Sequence, residues 1–513
     1  MEERHPLTDE LAALLPGDSL RLSEADRLLY SRDCWPRALL STLAGDSGPL
    51  PMAVAAPPDV ETLLSVVRAC LRHRTPMVPF GGGSGVCGGV TPVRGGVTID
   101  MKHLKDVGTV NAVNKTVEVM AGALGSHLEE KLNAQGYTLG HFPSSLMCST
   151  LGGWLATRSA GQCSSRYGKI EDMVAGLEFI DGQGRLLRFD PPSAHLGALD
   201  MPALVMGSEG VLGIVTRAWL KVHPLPESRL FGAFSFPGVG QGLTAMRHIM
   251  QAGLRPAVLR LYDPLDTVVN RLGGQRHQKT MEQIARAQPS LVELVAGDLS
   301  ASAMQKLYRS LLGQPMWINL LRRLLPDSSQ LVMVMEGGEK PCRLAFDAAA
   351  SLCAAEGGED LGEEPSRRWY EHRFDISFRQ IDVFLSGGVA DTMEVAAPWE
   401  QVETLYHEVR KALQKDAFVM AHFSHAYPEG CALYFTMAAA GGDGDLAPRL
   451  ETLWNTALKT VLEHGGVVSH HHGIGLSKAN FMLPEHGGLM GAFGQLKQNL
   501  DPDNLMNPLK LGL

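Results

Sequence analysis

The sequence predicts an α+β protein of more than one domain, and three observations carry that expectation. The chain has 513 residues, more than a single hydrophobic core commonly organises. Its composition, 45% hydrophobic and 20% charged, supplies enough apolar side chains to fill such cores while keeping a soluble surface. Helical and strand-like periodicities alternate along it, separated by glycine and proline clusters.

The N-terminal stretch "MEERHPLTDELAALLPGDSL" is acidic and lacks a long apolar core, and no run of about 18 apolar residues follows anywhere. A soluble, cytoplasmic protein is expected. The eight cysteines (Cys34, Cys70, Cys87, Cys148, Cys163, Cys342, Cys353 and Cys431) are scattered without C-x-x-C spacing and are expected to be reduced thiols. Residues 59–75 open on Asp59 and space their apolar positions by three and four, which predicts a capped amphipathic helix. A short strand, "PMVPF", then leads into the glycine cluster "GGGSGVCGGV", and a second strand begins in "GGVTIDMKHL". Further strands are expected over 115–122, 172–181 and 213–226.

The proline-rich "HPLPES" near residue 225 marks a domain boundary, because the strand pattern stops there and a new alternation starts with "RLFGAFSF". Residues 1–225 are expected to form one domain and 226–462 a second α+β domain. The second has strands near "AVLRLYD", "QLVMVMEG" and "CALYFTM" and helices such as "PWEQVETLYHEVRKALQ". Residues 463–513 return to motif-bearing sequence rather than starting a third domain. Within the second domain, residues 303–324 combine Leu, Met and Trp317 with Lys306, Arg309, Arg322 and Arg323 and contain no acidic residue. Two readings stay open: peripheral contact with a membrane surface, or a helix pair packed on its own domain.

The net charge of −9 provides no basic field for nucleic acid, so DNA and RNA are not expected partners. In "VPFGGGSGVCGG", residues 78–89, Gly81, Gly82, Gly83 and Gly85 follow directly on a strand, where consecutive amides can turn into one hollow and bind phosphate oxygens. No Gly-Lys-Ser/Thr follows, and the Rossmann spacing is absent. A purely structural turn would explain the cluster by itself. Two more segments rich in small residues, 144–161 and 207–216, could aim further backbone donors at the same extended ligand, and three such loops suit a dinucleotide.

These segments, "GGGSG", "STLGGW", "YGKIEDMV" and "GSEGVLGIVT", resemble the FAD-binding, PCMH-type domain of the vanillyl-alcohol-oxidase type of flavoproteins. With "RDCWPR", "GHFPSS", "VAAPWEQV" and "SHHHGIG", the chain from about residue 30 onward resembles more narrowly the alkyldihydroxyacetonephosphate synthase (alkylglycerone-phosphate synthase) family of ether-lipid synthesis. The resemblance implies a two-subdomain FAD-binding domain plus an α+β cap domain. It also implies that the FAD diphosphate lies on Phe80, Gly81, Gly82, Gly83, Ser84, Gly85 and Val86. Further cofactor contacts would come from Ser144, Ser145, Ser149, Thr150, Thr157, Arg158, Ser159 and Ala160, and from Glu209, Gly210, Val211, Leu212 and Gly213. The glycine loop contains no histidine, the residue that attaches flavin covalently in some members, so FAD is expected to be non-covalent.

If residues 468–472 form a strand, His470 and His472 share one face and His471 takes the other. Three roles are weighed for them: metal ligands, histidines satisfied within a packed strand, or acid–base and anion work. Similar proteins that oxidise D-2-hydroxy acids hold a metal through two histidines seven apart and a Glu before an HGIG-type turn. Here the first position is His425, but the second is Ala432 and the Glu position is His471, so no metal is expected. By the same resemblance His470, His471 and His472 belong to the substrate pocket. Tyr434 matches the family's acid–base tyrosine, Arg379 a substrate-binding arginine, and Arg260 an arginine needed for activity. A phenol with a reference pKa of about 10 becomes a usable base only when cations stabilise its anion. Where the family carries an acidic pair, this chain reads Phe142, Pro143, Ser144 and Ser145, which alters charge and hydrogen-bond polarity there.

The implied activity is redox-neutral exchange of the acyl chain of an acyl-dihydroxyacetone phosphate for a fatty alcohol, in an FAD-dependent, homodimeric enzyme with a lipid substrate. The alternatives are an FAD-dependent D-2-hydroxy-acid (D-lactate or glycolate) dehydrogenase and a non-catalytic flavoprotein at a lipid surface.

Overall fold

A computed structural model of the chain describes residues 5–191, 199–267, 328–375, 388–440 and 446–513. It divides into two compact units, Met1–Leu225 with Val468–Leu513, and Pro226–Val467. The segment 303–324 lies outside the described residues, as does Arg379. Among the described residues no helix is long and apolar enough to cross a membrane.

The first unit holds two sheets. One is ordered β1 (Leu20–Arg21), β2 (Ala53–Ala55), β4 (Val97–Asp100), β3 (Met77–Phe80), with β2, β3 and β4 parallel. Helix Val60–Arg72 connects β2 to β3 and forms as the sequence dictates. Asp59 caps it by accepting Thr62 N at 2.7 Å, and Leu63, Val66, Val67 and Cys70 share a buried face. That face joins Leu7 and Leu11 of helix Pro6–Leu14 and Met77, Val97 and Ile99 of the sheet in one core. Each such fully buried aliphatic side chain contributes about 1.5–3 kcal/mol. Parallel strands need both faces covered, which explains why β4 is buried at all four positions.

The second sheet is antiparallel, ordered β5 (Thr116–Met120), β9 (Gly213–Lys221), β7 (Val174–Asp181), β8 (Leu186–Phe189). The strand expected over 213–226 is broken after Lys221. His223–Pro224 (β10) pairs instead with Tyr137–Thr138 (β6), because a proline cannot donate to a continuing ladder. The C-terminal segment completes the first sheet. Met77 N donates to Leu505 O at 2.7 Å and Asn507 N to Met77 O at 2.8 Å, while Met506 enters the core. Buried Asp501 shapes that segment by accepting Leu505 N and Met506 N and pairing with Lys497 one helical turn earlier.

In the second unit the described strands form one antiparallel sheet. Its order is β14 (Glu359–Gly362), β11 (Ser228–Phe236), β13 (Ser329–Gly337), β12 (Val258–Tyr262), β16 (Phe418–Ala426), β17 (Gly430–Ala440), β15 (Gly388–Pro398). Helices Val239–Gln251, Glu339–Ala355, Trp399–Leu413 and Leu446–Glu463 pack on it. Strand alternation fixes what each face carries. Asp391 of β15 accepts Trp454 Nε1 of helix Leu446–Glu463 at 2.7 Å, so Thr392 and Glu394 point to the opposite face. The α+β class expected from the alternating periodicities is the class observed.

Candidate functional site

The glycine loop leaves β3 at Phe80, whose ring packs 4.9 Å from Tyr30. Gly82 shows why the loop needs glycine: a Cβ there would lie 1.7 Å from Cys148 O. One added at Gly81 would lie 2.2 Å from Thr150 Oγ1, so the loop and the segment 148–150 are in direct contact. The amides of Gly82, Gly83, Ser84, Gly85 and Val86 donate to no backbone acceptor among the described residues, leaving five successive donors for a ligand. Their chemistry, successive backbone N–H donors, is of the kind that holds a diphosphate.

The loop is held from beneath by residues whose roles are not visible locally. Buried Asp33 accepts Gly88 N at 3.0 Å, Gly89 N at 3.1 Å and Trp35 N at 3.1 Å, and Cys34 N donates to Gly85 O at 2.8 Å. Burial pushes the Asp33 carboxyl up to about 6, although three amides oppose the shift. Lys102 donates to Gly81 O at 3.1 Å and to Asp100 at 2.6 Å. The motif containing Asp33 was legible only as part of a resemblance, and Lys102 carries no local signal.

In the second segment Ser145 O accepts both Ser149 N and Ser149 Oγ at 2.8 Å, and Ser149 Oγ in turn accepts Trp154 Nε1 at 2.7 Å. Ser144 Oγ accepts Gln162 Nε2 at 3.3 Å. Thr150 caps helix Leu151–Thr157, and Thr157 Oγ1 donates to Gly153 O. Arg158 ends that helix in the left-handed region and pairs with Glu171 at 3.1 Å. Ser159 lies 3.2 Å from Nε2 of His141, which burial holds neutral by lowering it to about 3; Ala160 is buried next to it in sequence.

In the third segment Val211 and Leu212 pack with Leu511 in a core cluster, so their side chains face the interior, while Gly210 adopts φ +80° and Gly213 opens β9. The Glu209 carboxylate accepts Ile474 N and, at 2.7 Å, Gly475 N. Asn507 Nδ2 donates to both Gly89 O and Glu209 O, at 2.9 and 2.6 Å. Tertiary structure thus brings the glycine loop, Glu209 and the turn after the histidines onto one clasp. Gly475 makes that turn possible, with φ +53° and Cys87 O only 2.1 Å from where a Cβ would stand.

The clasp predicts a pH effect. Burial raises the Glu209 carboxyl from 4.5 to about 7 against the pull of Lys510 and Lys478. Its folded value lies above its unfolded one, so its contribution to stability is complete below 4.5 and is lost as pH rises through about 7. The size is on the order of 3 kcal/mol. Urea midpoints measured from pH 5 to pH 7.5 should therefore fall more steeply for wild type than for Glu209→Gln. Parallel slopes would contradict it.

The histidines depart from expectation, because residues 468–472 are a bend rather than a strand. The three half-buried rings do not alternate. His470 Nδ1 lies 3.1 Å from His471 Nδ1, and the His471 and His472 rings meet edge to face at 4.5 Å. The cause is the clasped turn: Gly473 abuts Glu209 and Thr157, and Lys169 Nζ donates to His470 O at 2.8 Å, which curls the chain instead of extending it.

The second unit carries its own polar cluster. The register aligns Glu394 of β15, Tyr434 of β17, His422 of β16, Tyr262 of β12 and Gln330 of β13 in one row across the sheet. Arg260, two residues before Tyr262, shares that face, with its guanidinium 5.1 Å from the Tyr262 ring and 5.8 Å from Trp369. Its Nε has no acceptor among the described residues. Tyr434 donates to Thr392 Oγ1 at 3.1 Å. Burial pushes its phenol up to about 12 even though Arg260 opposes the shift, so Tyr434 holds its proton at neutral pH. His425 sits at the bulge of β16 with φ +49°. His422, Asp266 and Glu394 were missed, although Thr392 and Glu394 at two-residue spacing and "AHFSH" beside "ALYF" were the available signals.

The chain matches the FAD binding domain family over residues 51–190 and the family of FAD linked oxidases, C-terminal domain, over 225–511. It is 28% identical to the alkyldihydroxyacetonephosphate synthase of Trypanosoma brucei brucei, covering 99% of this chain and 81% of that protein. It is also 28% identical to the synthase of Dictyostelium discoideum, covering 98% and 80%. Against the glycolate oxidase subunit GlcD of Bacillus subtilis the identity is 24%, over 95% and 93%. A solved alkyldihydroxyacetonephosphate synthase superposes with a TM-score of 0.77 at 24% identity, covering 99% of this chain and 85% of that one.

Proposed function

The chain belongs to the FAD linked oxidases, and from that premise we propose that it exchanges the acyl chain of an acyl-dihydroxyacetone phosphate for a fatty alcohol. It is an FAD-dependent enzyme, and the glycine cradle with its five available amides suits the cofactor's diphosphate. FAD is held without a covalent bond in this proposal, since residues 78–89 contain no histidine. When bound, FAD supplies an electrophilic ring nitrogen that lets the exchange run without net oxidation.

The observation that carries the reading is Arg260 beside Tyr434 on the polar face of the second unit's sheet. A fixed guanidinium with an available Nε can pair with a phosphate or with the oxygen of a polarised carbonyl, and a neutral phenol can donate a hydrogen bond to the carboxylate as it departs. The exchange needs both a cation that stabilises developing negative charge and a donor that hydrogen-bonds to the departing carboxylate.

Purified protein should release free fatty acid from acyl-dihydroxyacetone phosphate only when fatty alcohol is added, with no reduction of an electron-accepting dye. Bleaching of the flavin by D-lactate or glycolate, with dye reduction and without fatty acid release, would establish the dehydrogenase instead.

A further inference from the structure

We propose that His422, oriented by Asp266, is the base that removes the substrate proton, working beside Tyr434 as a proton-bearing phenol; this rests on the exchange reading for its substrate. The arrangement is local to one sheet face. β16 and β17 pair His422 directly with Tyr434, and the rings stack 4.8 Å apart at an interplanar angle of 16°. On the other side β12 pairs Tyr262 with His422, ring centroids 6.0 Å apart.

Asp266 places a carboxylate oxygen 3.2 Å from His422 Nδ1. Its position is itself fixed. Asp266 N donates to Asp263 Oδ1 at 2.8 Å, and the second Asp263 oxygen accepts Ala421 N and Tyr406 Oη, each at 3.1 Å. Asp263 N completes the lock by donating to Ala421 O at 3.0 Å. The residue preceding His422 and the turn carrying Asp266 therefore cannot drift apart. A carboxylate accepting at Nδ1 keeps the ring proton on that nitrogen and leaves the Nε2 lone pair to act.

The titratable and charged groups facing His422 are Asp266, Arg260 and Tyr262 from β12 and the turn after it, and Tyr434 from β17. Burial, with the Arg260 charge beside it, holds the imidazole well below its ordinary value, so the ring is neutral at physiological pH. The two stacked rings thus stand in complementary states, an acceptor and a donor. In the step proposed, the C–H bond next to the ketone carbonyl breaks, its electron pair stays on carbon and spreads into the carbonyl, and an N–H bond forms at Nε2. Arg260 stabilises the carbonyl oxygen as negative charge develops there. The imidazolium returns the proton to the same carbon at the end of the cycle, so the base is regenerated and no oxidant is consumed.

The test is deuterium entry at that carbon when the FAD-loaded enzyme is incubated with acyl-dihydroxyacetone phosphate in D₂O without fatty alcohol, followed by mass spectrometry. His422→Asn should slow entry on the order of a hundredfold or more with flavin content unchanged. Added imidazole should restore about tenfold of the loss in His422→Ala. In wild type the acid limb of the rate should lie below the ordinary histidine value of 6.5, a measurement that requires no variant. Full-rate entry in FAD-loaded His422→Asn, no rescue of FAD-loaded His422→Ala, or an acid limb above 6.5 would each overturn the base assignment. Absence of deuterium entry in wild type would instead defeat the exchange reading on which the assignment stands.

Discussion

Gly82→Ala should give protein that is colourless as purified and binds added FAD on the order of a hundredfold more weakly. The new Cβ would lie 1.7 Å from Cys148 O and 2.8 Å from its carbonyl carbon, well inside any tolerated contact, and the obstacle is backbone rather than a side chain that could swing away. The loop must retreat, and the amides from Gly82 to Val86 are displaced with it. Overpacking of this kind costs on the order of 3 kcal/mol, equivalent to about a hundredfold in affinity. Gly89→Ala is the matched control. Its Cβ would meet only Glu209 Oε2 at an ordinary 3.7 Å, so that variant should remain yellow. Flavin absorbance and FAD titration of the two proteins decide the matter, and a yellow Gly82→Ala protein with wild-type affinity would remove the phosphate cradle from this loop.

Tyr434→Phe should reduce alkyl exchange by on the order of a thousandfold while leaving FAD bound. The substitution deletes one hydroxyl and its 3.1 Å bond to Thr392 but keeps the ring that stacks on His422. A hydrogen bond of this kind is worth about 1 kcal/mol, a small loss beside a roughly thousandfold change in rate, so the rate reports chemistry. Burial holds the wild-type phenol neutral, so the substitution removes a hydrogen-bond donor rather than a charge. Unchanged fatty acid release by the variant would show that Tyr434 is only packing.

Much of the flavin half was legible before any coordinates. Glycines placed directly after a strand, an Asp-capped helix with one apolar face and a proline-marked boundary are local patterns, and local patterns survive in a one-dimensional string. The histidine run was legible as chemistry but not as geometry. The alternation expected of it presumed an extended backbone, whereas Glu209, from a segment over 250 positions earlier by the sequence numbering, captures the amides of Ile474 and Gly475 and bends the chain. The charge state of Tyr434 was likewise not legible, because a neighbouring cation could be imagined from the sequence but the larger effect of burial could not.

What the sequence determined by itself was therefore the class of fold and a glycine loop with the chemistry to receive a phosphate, whereas the flavin cofactor was implied by the resemblance of several motifs to a known family. The first two follow from residue type and spacing along short stretches of chain. Only the tertiary structure decided that Asp33, Asn507 and Glu209 hold the loops in place, and that His422 lies between Asp266 and Tyr434. Those facts depend on strand register and on buried hydrogen bonds between distant segments, and a side chain's charge state depends on how much water such packing removes.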